Sequence, residues 1–364
     1  MRIKKIINII LFNIIFTLFL FLLLISLIFI IEIISGRYLS KNKLDCAYLH
    51  CNANYNYKNR SRENTIKGDL SVFYQINYKK DEYGFRGRRK SISDIDILTI
   101  GGSTTDEKFL NYKDTWSEQL EEKFKIVGKD IDVVNAGIDG QSSHGHIWSL
   151  KNWFPKIKGF KTKYIIFYMG INENLKETSS NKHDLEIENS TIKAKIKFYI
   201  QRNNGFLYKI YNIFAKKYYN LFMNQGYNPL YPEYSKILKK EFIPTYKQKS
   251  NLKKNLNHIV KLSKKIDAIP IFVTQRTLFW KKENNQILIA NNVKTYNKSY
   301  YHFEKFVSDT IIEFCAEHNV LCIDVFNNVQ FKLDDFFELA HTTHKGSQKI
   351  ADFIFEKLTK VYNF

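Results

Sequence analysis

Five apolar runs of strand length are spaced along the chain: Ile95 to Ile100, Ile131 to Val134, Tyr164 to Tyr168, Ile269 to Thr274 and Val320 to Val325. Each is nearly continuous and rich in Ile, Val, Phe or Leu, as expected of strands covered on both faces and hence of a parallel sheet. Helical patterns separate them. Thr115 with Glu118 makes a capping-box signature ahead of Trp116, Leu120 and Phe124. Leu252, Leu256, Ile259, Ser263 and Ile266 trace a second helix face, Phe303, Val307, Ile311 and Phe314 a third, and Ile350, Phe353, Ile354 and Leu358 the last. This alternation predicts an α/β fold, a three-layer α/β/α domain on a five-stranded parallel sheet with right-handed crossovers.

The first residues are a different material. From Ile6 to Ile31 nothing is charged, and only Asn8, Asn13, Thr17 and Ser26 are polar. About 26 helical residues reach roughly 39 Å, enough to span a bilayer with some tilt. A cleavable signal would have a shorter apolar core, and Ile34-Ser35-Gly36 puts a bulky residue where a cleavage site needs a small one. The segment 1–36 therefore reads as a transmembrane anchor. Arg2, Lys4 and Lys5 before the span are matched by Arg37, Lys41 and Lys43 after it, so charge does not orient it. Cys46 and Cys51 are spaced to close a small disulfide loop if their side is oxidising. Cys315 and Cys322, on an apolar helix face and in a strand, read as buried thiols. The reading is of a single-pass protein with its domain outside the cytoplasm, in the periplasm.

Residues 37–90 read as a juxtamembrane connector, marked only by Tyr83-Gly84-Phe85-Arg86-Gly87, a turn suited to docking on a folded body. The domain proper runs from 91 to 364, with an insertion at about 176–250 that is too long for one crossover. Its aromatics, Phe198, Tyr199, Phe206, Tyr208, Tyr211, Phe214, Tyr218, Tyr219 and Phe222, suggest helices packing on the domain, with a lid or membrane-facing surface as the sharper alternative. Net charge is +20, yet the Lys and Arg are scattered and no groove-reading motif accompanies them, so nucleic acid is not an expected partner.

Four blocks fall at strand ends, where an α/β sheet gathers ligands. They are Gly101-Gly102-Ser103-Thr104, then Asn135-Ala136-Gly137-Ile138-Asp139-Gly140-Gln141-Ser142, then Gly170-Ile171-Asn172-Glu173, and last Glu338-Leu339-Ala340-His341-Thr342-Thr343. In this order they resemble the SGNH hydrolases, also called the GDSL esterase and lipase superfamily, in its membrane-attached bacterial form. The resemblance implies a flavodoxin-like SGNH fold with Ser103 as nucleophile and His341 as base. It implies an oxyanion hole of the Ser103 and Gly140 N–H groups and the Asn172 amide. Three positions depart from the family pattern: Gly102 stands for Asp in block one, Glu173 for Asp in block three, and Glu338 for Asp in block four.

The chemistry agrees with the resemblance. A serine hydroxyl needs an adjacent imidazole to take its proton, and a carboxylate, here Glu338, to hold that imidazole in the right tautomer. Thr105 in place of a second elbow glycine argues against the ordinary α/β-hydrolase fold. His344 is a rival base, but it reads as a rim residue in the loop before the last helix. His144 and His146 form a His-x-His pair with no carboxylate or Cys at metal spacing, so no metal is assigned. No cofactor is implied. The expected activity is hydrolysis of an ester, an O-acyl group of an envelope glycan or a lipid, through an acyl-enzyme. O-acyl transfer to a glycan through the same intermediate, and a non-catalytic anchored binding or assembly module, are the alternatives.

Overall fold

The computed structural model describes residues 2–39, 49, 51–52, 54–58, 75–178, 182–184, 210, 213, 234–236, 243–290, 300–337 and 339–362. The chain divides into two compact units, Met1–Tyr48 with Thr191–Met223, and Leu49–Ser190 with Asn224–Phe364. In the first, Arg2–Leu39 is one helix of 38 residues, and its stretch Ile6–Ile31 is long and apolar enough to cross a membrane. The Thr17 and Ser26 hydroxyls donate to the carbonyls of Asn13 and Leu22, four residues back in the helix. The aromatic series of the insertion lies outside the described residues.

The second unit opens with an antiparallel pair, β1 (Asn54–Lys58) and β2 (Gln75–Lys79). A parallel sheet follows, built from β3 (Ile95–Gly101), β4 (Val133–Asn135) and β5 (Thr162–Met169). A short strand, β6 (Tyr234–Lys236), precedes the fourth strand of that sheet, β7 (Ile269–Thr274). Next come β8 (Trp280–Glu283) and β9 (Gln286–Ala290), which form a small antiparallel sheet with β6, and β10 (Cys322–Ile323) completes the parallel one. The parallel order is β10-β7-β5-β3-β4, the flavodoxin-like arrangement. The chain leaves β3 for β4 on one side and returns to β5 on the other. Ligands gather at such a switch point beyond the carboxyl ends of the strands, and there Gly101 hands over to Ser103.

The alternation of strand side chains fills both faces. Ile97, Val133, Ile166, Ile271 and Val273 pack with Trp116, Leu120 and Phe124 of the helix Trp116–Ile126 and with Ile350, Ile354 and Leu358 of the helix His344–Val361. On the opposite face Phe167 meets Phe272, which meets Phe314 of the helix Tyr300–His318, beside the helix Tyr246–Lys265. Two strands are shorter than their apolar runs, each for a local reason. The Asp132 carboxylate accepts from Asp96 N–H before β4 begins, and Asp324 caps the short helix Val325–Asn328 just after β10.

Two local expectations need correction. Thr115 accepts from the Glu118 N–H, but the Glu118 carboxyl bonds with Tyr112 instead of closing a capping box. Cys315 and Cys322 are not thiols but a disulfide: the helix Tyr300–His318 ends beside β10, and the turn at Asn319, with φ of 52°, brings the two Cα atoms to 6.0 Å, within bridging reach. Cys51 is also disulfide-bonded, while Cys46 lies outside the described residues.

The turn Tyr83–Gly87 does dock. Phe85 is fully buried among Trp153, Phe154 and Phe160, with ring centroids at 5.2, 6.1 and 6.0 Å. The Trp153 indole donates to the Tyr83 carbonyl at 2.8 Å. Phe85→Ala should therefore lower unfolding free energy by about 3–5 kcal/mol in a denaturant titration. A change below about 1 kcal/mol would mean that the turn is not part of the cooperative unit.

Candidate active site

Ser103 begins a one-turn helix, Ser103–Asp106, directly after β3. The carbonyl of Gly102 accepts from Thr105 and Asp106, and that of Ser103 accepts from Glu107 at 2.8 Å. Gly102 has no room for a side chain, because a Cβ there would collide with the Asn172 amide nitrogen and lie 3.2 Å from the Gln141 carbonyl oxygen. The departure from the namesake motif at this position goes with close approach: block three and block two both press on the turn that carries Ser103.

The turn is braced from below by groups of the segment before β3. Arg86, fully buried, donates to the carbonyls of Asp106 (2.7 Å), Glu107 (2.8 Å) and Leu110. Its own backbone pairs with Asn135 in both directions. Lys80, equally buried, donates to the Gly137 carbonyl at 2.7 Å and ion-pairs with Asp106 at 3.3 Å, and the Tyr78 hydroxyl donates to the same Asp106 carboxylate. Burial pushes the Lys80 ammonium down, against the pull of Asp106. The Trp116 indole donates to the Thr104 carbonyl, and the Asn135 side chain reaches the Thr105 carbonyl. Of these, the Arg86 turn, Trp116 and Asn135 carry sequence signals, whereas Lys80 and Tyr78 carry none of that kind. Ile76, Tyr78 and Lys80 are buried at alternate positions, a period-two pattern that could have revealed the strand.

The imidazole of His341 meets this turn from the far end of the chain. Its Nε2 lies 2.7 Å from Ser103 Oγ, so in the neutral tautomer with Nε2 free the hydroxyl donates to it. Ser103 is buried and His341 half-buried. Phe109 stands edge-on to the imidazole at 6.2 Å. The structure thus brings Ser103, His341 and Asn172 to one place. Glu338 lies outside the described residues. His344 is not in the loop but is the first residue of the last helix.

Gly140 takes a φ of 80°, a left-handed conformation that favours glycine, and a Cβ there would stand 2.7 Å from the His183 ring. His183 went unremarked in the sequence because it sits inside the insertion. Next to it, Asp184 accepts from the Ser142 N–H and hydroxyl, both at 2.8 Å, while Glu173 accepts from the Ser143 N–H at 3.1 Å and hydroxyl at 2.7 Å. Two buried carboxyls therefore hold the loop that carries Gly140. Asp139 ion-pairs with Lys108. Burial alone would raise its carboxyl, but Lys108, with His183 and His341, outweighs burial and holds it below the usual range. His144 contacts the Lys176 carbonyl and the Asn255 amide. His146 is wholly buried, and burial pulls its imidazole down to about 3.

Burial pushes the Glu173 carboxyl up to about 8, opposed by the Ser143 hydroxyl and assisted by Asp184. A group that keeps its proton to about 8 when folded, but releases it near 4.5 when unfolded, makes the folded state the greater proton binder between those values. Its stabilising contribution is full below about pH 4.5 and is lost as pH rises through about 8. His146 acts oppositely, but only below about pH 6.5. Between about pH 6.5 and 8, wild-type stability should therefore fall with pH, and Glu173→Gln should make that slope shallower in denaturant titrations without abolishing it, because Glu107 and Glu304 are raised by burial too, to about 8 and about 7. An unchanged slope would remove Glu173 as its source.

No family model matches the chain, and no curated protein matches it in sequence. Solved structures similar to it include a member of the lipolytic G-D-S-L family from Veillonella parvula, at 14% identity and a TM-score of 0.41, covering 73% of this chain and 100% of that one. Another is the psychrotrophic esterase EstA from a Pseudoalteromonas species, inhibited by monoethylphosphonate, at 13% identity and a TM-score of 0.37, covering 74% and 97%. A third is LAE5, an alpha/beta hydrolase enzyme from the metagenome of Lake Arreo, at 12% and 0.40, covering 74% and 97%. The fold and the chemistry assigned to this chain rest on its own residues. Its parallel sheet order is the flavodoxin-like one, and the Ser103–His341 contact brings the first and the last of the four sequence blocks together.

Proposed function

We propose that the protein is a membrane-anchored serine esterase whose catalytic unit works outside the cytoplasm on O-acyl groups of an envelope glycan or lipid. The observation that carries the reading is the 2.7 Å contact between Ser103 Oγ and His341 Nε2, within the 2.6–3.2 Å reach of a nucleophile and its base. Ser103 Oγ attacks the ester carbonyl as its proton passes to His341 Nε2. The oxyanion so formed is met by the N–H groups of Ser103 and Gly140 and by the Asn172 amide. Collapse breaks the bond to the leaving alcohol, which takes the proton from His341. Water, deprotonated by the same imidazole, then releases the acyl group from Ser103. Glu338 is assigned to orient His341, as the block order suggests.

The Cys315–Cys322 disulfide supports the extracytoplasmic assignment, because such bonds persist in oxidising compartments. The span Ile6–Ile31 supports attachment. Purified protein should hydrolyse p-nitrophenyl acetate, and Ser103→Ala and His341→Ala should each lower the rate by at least about 10³-fold. A rate that is the same in wild type and Ser103→Ala would remove the esterase reading. Protease added to intact spheroplasts should degrade the catalytic unit, and full protection would place it on the cytoplasmic side.

A further inference from the structure

Glu107 is the residue at which the nucleophile turn and the base loop are tied together. It is a non-glycine residue in the left-handed region, at φ of 43°, and its carboxyl is buried. A side chain kept at such a position invites a functional reason. Its N–H donates to the Ser103 carbonyl at 2.8 Å, and its own carbonyl accepts from Arg86 at 2.8 Å, so its backbone belongs to the nucleophile turn.

The side chain leads elsewhere. Oε2 accepts from the Trp116 N–H at 2.8 Å, which fixes the carboxyl plane. Oε1 accepts from Thr342 Oγ1 at 3.1 Å and from Ser347 Oγ. Thr342 directly follows His341, and Ser347 lies in the first turn of the last helix. From its other side the base loop is held by the bridge between Phe336 and Thr342 and by the Phe337 N–H on the His341 carbonyl at 2.8 Å. These bonds lie within the loop's own segment, whereas the Glu107 bonds run to the turn that carries Ser103. Glu107, Thr342 and His341 also line one small cavity of about 10 Å³, with Phe109, Leu110 and Phe337. Burial pushes the Glu107 carboxyl up to about 8, with Ser347, the Trp116 N–H, Arg86 and Thr342 pulling against it. The environment does not favour a charge there, so a neutral side chain of the same length can take its place.

We propose that Glu107 is a positioning residue, whose carboxyl fixes Thr342 and thereby the His341 imidazole at the distance from Ser103 that proton transfer requires. The proposal rests on the reading of Ser103 and His341 as nucleophile and base. A misplacement of about 1 Å costs on the order of 10²-fold in such a step.

The test is the rate of covalent labelling of the full-length protein by a fluorophosphonate probe, resolved into kinact and KI. Glu107→Ala should lower kinact by about 10- to 100-fold with KI within about 2-fold. Glu107→Gln, which keeps the acceptor oxygen, should restore kinact to within about 5-fold of wild type. Thr342→Val should slow labelling as Glu107→Ala does, and the double variant should be no slower than either, because both cut one tie. A folded Glu107→Ala labelled at the wild-type rate, or losses that multiply in the double variant, would overturn the proposal. If Glu107→Ala does not fold, Thr342→Val and Glu107→Gln carry the same expectations. A folded wild type that is as silent as Ser103→Ala would instead defeat the hydrolase reading, and the tie with it; a broken tie alone leaves wild type labelled.

Discussion

A buried guanidinium, that of Arg86, holds the turn on which the rest of the site depends. A one-turn helix after a strand leaves carbonyls without partners inside the helix, and a buried carbonyl without a partner is costly. Arg86 meets those of Asp106, Glu107 and Leu110 at once, and its planar fork is suited to several acceptors in fixed directions. Its charge is tolerated in the interior because those acceptors surround it. The neighbouring Lys80 repeats the device on Gly137 and Asp106. Ser103 is thereby presented by a frame of backbone carbonyls and buried cations.

Buried carboxyls support the other parts of the site. Glu173 and Asp184 gather N–H and hydroxyl donors at Ser143 and Ser142, and so fix the loop that carries Gly140. Glu107 gathers donors from Trp116, Thr342 and Ser347. At Glu173 and Glu107 burial outweighs the converging donors and pushes each carboxyl up to about 8. The result is a Ser103 turn tied to block two through Asn135 and to the His341 loop through Glu107, while Glu173 of block three holds Ser143 beside block two. A buried network of this kind rigidifies a site as long as its members are satisfied.

Much of this was legible in the sequence, for identifiable reasons. The five strands were readable because strands covered on both faces must be apolar throughout. Ser103 and His341 were readable because their blocks stand in order, although 238 positions separate them and nothing local links them. The supports were not readable by the same means. Lys80 and Arg86 look like ordinary charges in a basic chain, and only the fold reveals that they are buried. Asp184 and His183 lie in an insertion without periodicity. The Cys315–Cys322 bond escaped because spacing alone does not tell whether a helix end and the next strand lie within 6.0 Å. Glu107 carries no sequence signal of its own, and its proposed role rests on contacts with residues more than two hundred positions away.

The central claim is that Ser103 forms a covalent acyl-enzyme. The most direct measurement is intact mass, followed by peptide mapping, of wild-type protein quenched in acid within the first turnovers with p-nitrophenyl acetate. The account predicts the added mass of one acetyl group, located on Ser103 and absent from Ser103→Ala. Ester turnover by wild type with no adduct, or an adduct on another residue that persists in Ser103→Ala, would contradict it.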